Sequence, residues 1–177
     1  MILKYPNPTL RQKSATVTGF DTKLKQLAQE LLTTVVPDPR EPLGVGLAAN
    51  QIGKLQRVFI MLMQTKKIEV VINPQIIKTS TKLLSSLPKD DRFLEGCLSF
   101  PGYYGFVDRP LKIKVTYQNL SGSLKRKTLQ PPFSIYFQHE ADHLDGILFI
   151  DYIKKSRGQL YFGPGREKLQ PVKNPFL

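Results

Sequence analysis

The fold turns on residues 133–146, FSIYFQHEADHLDG. Phe133, Tyr136, Phe137, Ala141 and Leu144 recur at helical spacing, so the segment is predicted to be a helix with that apolar stripe turned inward. Pro131-Pro132 breaks what precedes and is well placed to open the helix, and Gly146 is placed to cap its end. Inside it stands His139-Glu140-Ala141-Asp142-His143, an H-E-x-x-H sequence. A spacing of four puts both imidazoles on one face, about one turn apart, where they can grip one metal ion. Glu140 lies beside them, within reach of a metal-bound water. The chain has two histidines and both are here. The plain alternative is a buried helix with incidental histidines.

An open catalytic site takes three protein ligands and leaves a fourth position free. The longer metalloprotease pattern would put a third histidine at position 149, which is Phe149. The remaining soft donor is Cys97, the sole cysteine, in Glu95-Gly96-Cys97-Leu98-Ser99. A thiolate with two imidazoles satisfies an open tetrahedral site for Zn²⁺ or Fe²⁺. Read as packing alone, Cys97 is a small buried hydrophobe. A carboxylate, Asp145 or Asp151, is the other candidate third ligand and would make the chain a general metallopeptidase.

Outward from this helix, Asp21 is a good N-cap for DTKLKQLAQELLTTVV, in which Leu24, Leu27, Ala28, Leu31, Leu32 and Val35 share one face. Pro37 and Pro39 are expected to end that helix. Residues 57–63 (RVFIMLM) and 68–72 (IEVVI) read as strands, with 75–80 extending the sheet after a turn at Asn73-Pro74. Met61 and Met63 read as core filler. Ile113, Val115 and Tyr117 alternate with Lys112, Lys114 and Thr116, a half-buried strand; Ser121-Gly122 turns the chain into a returning strand at 124–129. After Tyr152 the pattern dissolves into a tail or an irregular strand. The expected fold is α+β: mixed or antiparallel sheets wrapped around a central helix carrying the H-E-x-x-H motif, with the N-terminal helix packed outside.

With 177 residues, 41% hydrophobic and 23% charged, the chain is sized and composed as one globular domain, which excludes a disordered protein. No apolar run approaches the ~18 to 20 residues of a membrane span, and residues 1–14 lack the pattern of a secretory signal. One cysteine excludes a disulfide framework and fits a reducing compartment, so a cytoplasmic protein is expected. The net charge of +12 is concentrated in residues 109–127 and 152–177, which supply eleven of the twelve charges. Those stretches are either solvated faces or a surface for polyanions such as RNA. A basic RNA-binding module with a structural metal is therefore a further alternative, although a closed structural site normally takes four protein ligands.

Three separated motifs together resemble the peptide deformylases: Gly44-Val45-Gly46-Leu47-Ala48-Ala49-Asn50-Gln51, Glu95-Gly96-Cys97-Leu98-Ser99 and Gln138-His139-Glu140-Ala141-Asp142-His143-Leu144. The similarity runs over roughly residues 1–153, the catalytic domain, with 154–177 a basic C-terminal tail of the same domain. It implies removal of the formyl group from the N-terminal formyl-methionine of new polypeptides, by attack of a metal-bound water. It also implies Cys97, His139 and His143 as metal ligands, Glu140 as general base and acid, and Gln51 with the Leu98 N–H as donors to the reacting oxygen. Fe²⁺ is the implied metal, with Zn²⁺, Ni²⁺ or Co²⁺ able to substitute. Val45 and Gly46 would pair with the substrate as an added strand. Phe93, Glu95, Ile135, Tyr136 and His139 would surround the methionine side chain, with Gly96 also binding substrate and Glu95 paired to Arg109. Partners implied are formyl-methionyl peptides and nascent chains, with ribosome contact through 109–127 and 152–177. Tyr104 stands where some members carry an arginine, and the C-terminus lacks the long helix of some members.

Overall fold

The computed structural model describes residues 1–36, 44–165, 168–173 and 175–176. Pro37 and Pro39, expected to stop the first helix, and Arg166 and Glu167 of the basic tail lie outside the described residues.

Helix α1, Thr22–Val35, starts where Asp21 Oδ1 accepts a hydrogen bond from Leu24 N at 3.0 Å. Strands β1 (Gly46–Ala48), β2 (Val58–Leu62), β3 (Ile68–Thr79), β6 (Ile113–Gln118) and β7 (Leu124–Leu129) form one sheet in the order β1-β2-β3-β6-β7. Strands β4 (Glu95–Cys97), β5 (Phe100–Gly105), β8 (Leu160–Phe162) and β9 (Gln170–Val172) form a second, in the order β4-β5-β8-β9. Every strand pairing described is antiparallel. Helix α2 (Phe133–Leu144) and helix α3 (Phe149–Ser156) complete the fold.

The continuous apolar run of β2 follows from burial on both faces. Val58 and Ile60 join Leu47 and Ile72 in a core with Leu24, Leu27 and Leu31 of α1. Phe59 and Met61 point the other way, with Ala48 and Val71, onto Phe137 and Leu144 of α2. Alternation along a strand therefore divides β1, β2 and β3 between the two helices. Met61 and Met63 are fully buried there. On α2, Phe137 and Leu144 are buried, while Phe133, Tyr136 and Ala141 are partly buried against the same core.

Three features differ from the expectation. No turn divides the chain at Asn73-Pro74: β3 runs through it as one strand of twelve residues, with a bulge between Ile72 and Gln75. Asn73 adopts φ 51°, a conformation its short polar side chain tolerates. Its amide exchanges hydrogen bonds with Val17 N at 2.9 Å and Val17 O at 2.8 Å, so the irregular backbone is locked by side-chain bonding. The β4–β5 hairpin and α3 have no counterpart in the expectation, and the tail contributes β8 and β9 to the second sheet. Leu10, Phe100, Val107, Phe149, Ile153 and Leu160, scattered along the sequence, make the core that joins them. No described helix is long and apolar enough to cross a membrane.

Candidate metal centre and substrate cleft

The site forms where α2 meets β4 of the second sheet. The helix carries His139 and His143 one turn apart, their ring centroids 4.9 Å from each other. The strand delivers Cys97, whose Sγ lies 3.2 Å from His143 Nε2. One donor atom from each of the three residues lies within 4.8 Å of the other two. A tetrahedral zinc with ordinary bond lengths would separate sulfur and nitrogen by about 3.6 Å. The pair thus needs only a few tenths of an ångström of opening to hold an ion. Asp145 and Asp151 do not join the cluster: Asp145 pairs with Arg57 at 2.7 Å and Asp151 with Arg11 at 2.5 Å.

Each imidazole is held differently. His139 Nδ1 lies 2.9 Å from Glu95 Oε2, which leaves Nε2 for the cluster. Burial works against a proton on His139, but hydrogen bonds to Cys97 and Glu95 and their charges hold its pKa well above the ordinary value. His143 is pushed well below it, first by burial and then by the positive charges of His139 and Arg109. It is therefore neutral, the form that ligates a metal. The remaining donor chemistry fits a soft-to-borderline divalent cation.

Glu140 is 5% exposed, and its Oε2 has no hydrogen-bond partner. Burial, opposed by His139 and helped by the negative charge of Glu95, raises its carboxyl to about 7. A cation held by its neighbours acts in the opposite sense. On the other side of the carboxylate is Gly46: a Cβ placed there would stand 2.6 Å from Glu140 Oε1. Glycine is what allows β1 to lie this close to the helix.

Gln51 sits on a short 3-10 turn, Ala49–Ile52, directly after β1. Its Oε1 accepts from Ala48 N at 2.9 Å, which fixes the amide's orientation. The Nε2 end then points at Ser99 Oγ, 3.1 Å away, and Cys97 Sγ, 3.5 Å away. Asn50 on the same turn donates to the His143 carbonyl at 2.5 Å, tying the turn to α2. Leu98, next to Cys97, accepts from Lys4 Nζ through its carbonyl at 2.5 Å.

A cleft of about 350 Å³ opens onto these groups. Val45 and Gly46 line it from the β1 side, Phe93 and Gly96 from around β4, Ile135 and Tyr136 from α2. Glu95 also lines it, but its carboxylate is engaged: Arg109 Nε bonds Oε1, and Arg109 Nη2 donates to Oε2 at 3.0 Å. Burial alone would raise Glu95; the charge of Arg109 and the bond to His139 bring it down to about 2. Arg109 Nη1 also donates to Asp142 Oδ2 at 2.7 Å, so one guanidinium joins β4 to α2. Ser99, Asp142 and Tyr152 belong to this surrounding shell and were not singled out by sequence reasoning. Asp142, one residue before a histidine on the same helix, is the one whose position signals it.

An α+β scaffold that brings one cysteine sulfur and two imidazoles around a point beside a buried glutamate defines a class, the metal-dependent hydrolases of the H-E-x-x-H kind. A family model described as polypeptide deformylase matches residues 1–159. The chain belongs to that family. The peptide deformylase of Desulfotalea psychrophila is 37% identical over 165 residues, covering 90% of each chain. The crystal structure of peptide deformylase from Thermotoga maritima is similar with a TM-score of 0.75 and 36% identity, over 86% of this chain and 95% of that one. A Plasmodium falciparum peptide deformylase, solved in complex with an inhibitor, gives a TM-score of 0.73 at 35% identity, over 89% and 93%.

Proposed function

We propose that this protein is a hydrolase that removes the formyl group from the N-terminal formyl-methionine of new polypeptides, releasing formate. The observation that carries the mechanism is the convergence of Cys97, His139 and His143 beside the partnerless oxygen of Glu140 and the amide of Gln51, at the cleft. A divalent cation bound by the three donors supplies Lewis acidity, which makes water nucleophilic at neutral pH. Glu140 takes the proton of that water and passes it to the departing amine as the formyl carbon–nitrogen bond breaks. Gln51 Nε2 and the Leu98 N–H meet the negative charge that develops on the formyl oxygen, each worth ~3 kcal/mol at comparable sites.

Substrate is held by two parts of the chain. Val45, 41% exposed, borders β1 at the edge of its sheet, where a peptide backbone can add as a further strand. Phe93, Ile135 and Tyr136 offer the methionine thioether an apolar, partly aromatic slot. Fe²⁺ is the native ion in this reading, with Zn²⁺, Ni²⁺ or Co²⁺ as substitutes, and a single cysteine is consistent with work in the reducing cytoplasm. Lys112, Lys114, Lys125 and Arg126, all exposed, are the groups by which the 109–127 stretch would approach the ribosome.

Formate release from formyl-Met-Ala-Ser tests the function, with Glu140→Ala as control. Metal-loaded protein that releases no more formate than this variant would overturn it. Cys97→Ala should lose the bound ion; retention at wild-type stoichiometry would remove Cys97 from the ligand set. Ribosome co-sedimentation of Lys114→Glu/Arg126→Glu across a salt series tests the contact, which fails if binding is unchanged.

A further inference from the structure

We infer that Tyr152 is a positioning residue for the metal ligands, acting through Arg109. The inference rests on the ligand reading above and extends it to a residue of α3 that lines neither the cleft nor the donor cluster. Arg109 is 4% exposed and engages all three of its guanidinium nitrogens: Nε and Nη2 toward Glu95 on β4 and Nη1 toward Asp142 on α2. Glu95 in turn holds His139 Nδ1. The guanidinium therefore governs two things at once, the ring orientation of His139 and the spacing between the helix with both imidazoles and the strand with the thiolate. Tyr152 adds a further contact: Arg109 Cζ stands over its ring, 5.0 Å from the centroid. The Tyr152 hydroxyl also feels the charge of Asp142, the other partner of Arg109 on α2.

The fold holds Tyr152 firmly in that position. Its neighbour Ile153 is fully buried and packs on β5 so closely that a Cβ on Gly105 would fall 1.9 Å from Ile153 Cδ1. Strand β5 is the partner of β4. Helix α3 is thus registered against the strand that carries Glu95 and Cys97, and Tyr152 transmits that register to α2 through Arg109 and Asp142.

The test uses the full chain loaded with zinc and challenged with excess chelator well below the unfolding temperature. Groups that orient a metal's ligands commonly govern its affinity by about 10 to 100-fold, so Tyr152→Leu, which removes ring and hydroxyl, should release zinc about tenfold faster. Tyr152→Phe, which keeps the ring, should be about threefold faster. In Co²⁺-substituted protein the thiolate-to-metal absorption of both variants should shift, because the donor geometry relaxes. Leu24→Ala supplies the structural control: it opens the α1 core, away from α3 and Arg109, and should lower Tm while leaving zinc release and the cobalt spectrum unchanged. Equal acceleration by Leu24→Ala at matched loss of Tm would overturn the inference, as would Tyr152 variants that release zinc at the wild-type rate. If Tyr152→Leu does not fold, Tyr152→Phe decides alone. A wild-type chain that takes up no stoichiometric metal would instead defeat the ligand reading itself.

Discussion

Gly46→Ala is the most direct probe of how β1 and α2 share the site. The added methyl would stand 2.6 Å from Glu140 Oε1, 3.0 Å from Cδ and 3.1 Å from Cγ. Ordinary contact begins near 3.4 Å, so the carboxylate has to retreat by roughly 0.8 Å. Glu140 is 5% exposed and its stem is packed, so the group cannot swing into solvent. Misplacement of a catalytic group on the 1 Å scale costs about 10²-fold in rate, equivalent to ~2.7 kcal/mol of barrier. The expectation is a fall of that size in kcat for formate release, with bound metal unchanged because no donor atom is touched. Steady-state kinetics on formyl-Met-Ala-Ser, with metal content measured on the same preparations, provide the assay. A kcat within twofold of wild type would refute the reasoning, and a loss expressed only in KM would show that the methyl acts on substrate pairing with β1.

Three further outcomes follow from packing and charge. Arg109→Leu leaves Glu95 buried without its cation and should cost ~3–5 kcal/mol in urea unfolding; a cost below 1 kcal/mol would mean that the pair is dispensable. Gly105→Ala, blocked by Ile153 Cδ1 at 1.9 Å, should destabilise strongly, and adding Ile153→Val should recover part of the loss because it removes that atom. Additive losses would contradict the contact. Burial, together with the charge of Asp142, raises the Tyr152 hydroxyl to about 12, above its ordinary value near 10. The folded state therefore binds this proton more tightly, and the stability so gained is complete below pH ~10 and lost as pH climbs through about 12. Difference titration of tyrosinate absorbance against Tyr152→Phe should reveal one late-titrating group, and its absence would dismiss the Asp142 contact.

Legibility differed sharply between parts of this molecule. α1 and β6 could be read from local periodicity because each has one wet and one dry face, as Ile113, Val115 and Tyr117 show by being buried between exposed or half-exposed neighbours, whereas α2, none of whose residues is exposed, was legible from the helical spacing of its large apolar side chains. The strand β2 was legible as an apolar run, although nothing in it told that Phe59 and Ile60 serve different helices. The β4–β5 hairpin and α3 were not legible. Their segments include Gly96, Pro101, Gly102 and Gly105, which weaken any strand pattern, and α3 spans only eight residues. At Asn73 the Asn-Pro pair is a turn signal locally, and the side-chain bonds to Val17 that override it come from 56 positions away.

For the site, a four-residue spacing and a single cysteine were enough to nominate Cys97, His139, Glu140 and His143, since donor chemistry and helical period are local properties of a chain. What lay beyond local reach was the meeting of β4 with α2. The 3.2 Å between sulfur and imidazole, the carboxylate of Glu140 pressed on Gly46, and the guanidinium of Arg109 shared by Glu95 and Asp142 all join residues far apart in sequence. Such contacts depend on closing long loops, and the core of Phe100, Phe149 and Ile153 that closes them carries no short-range periodicity of its own.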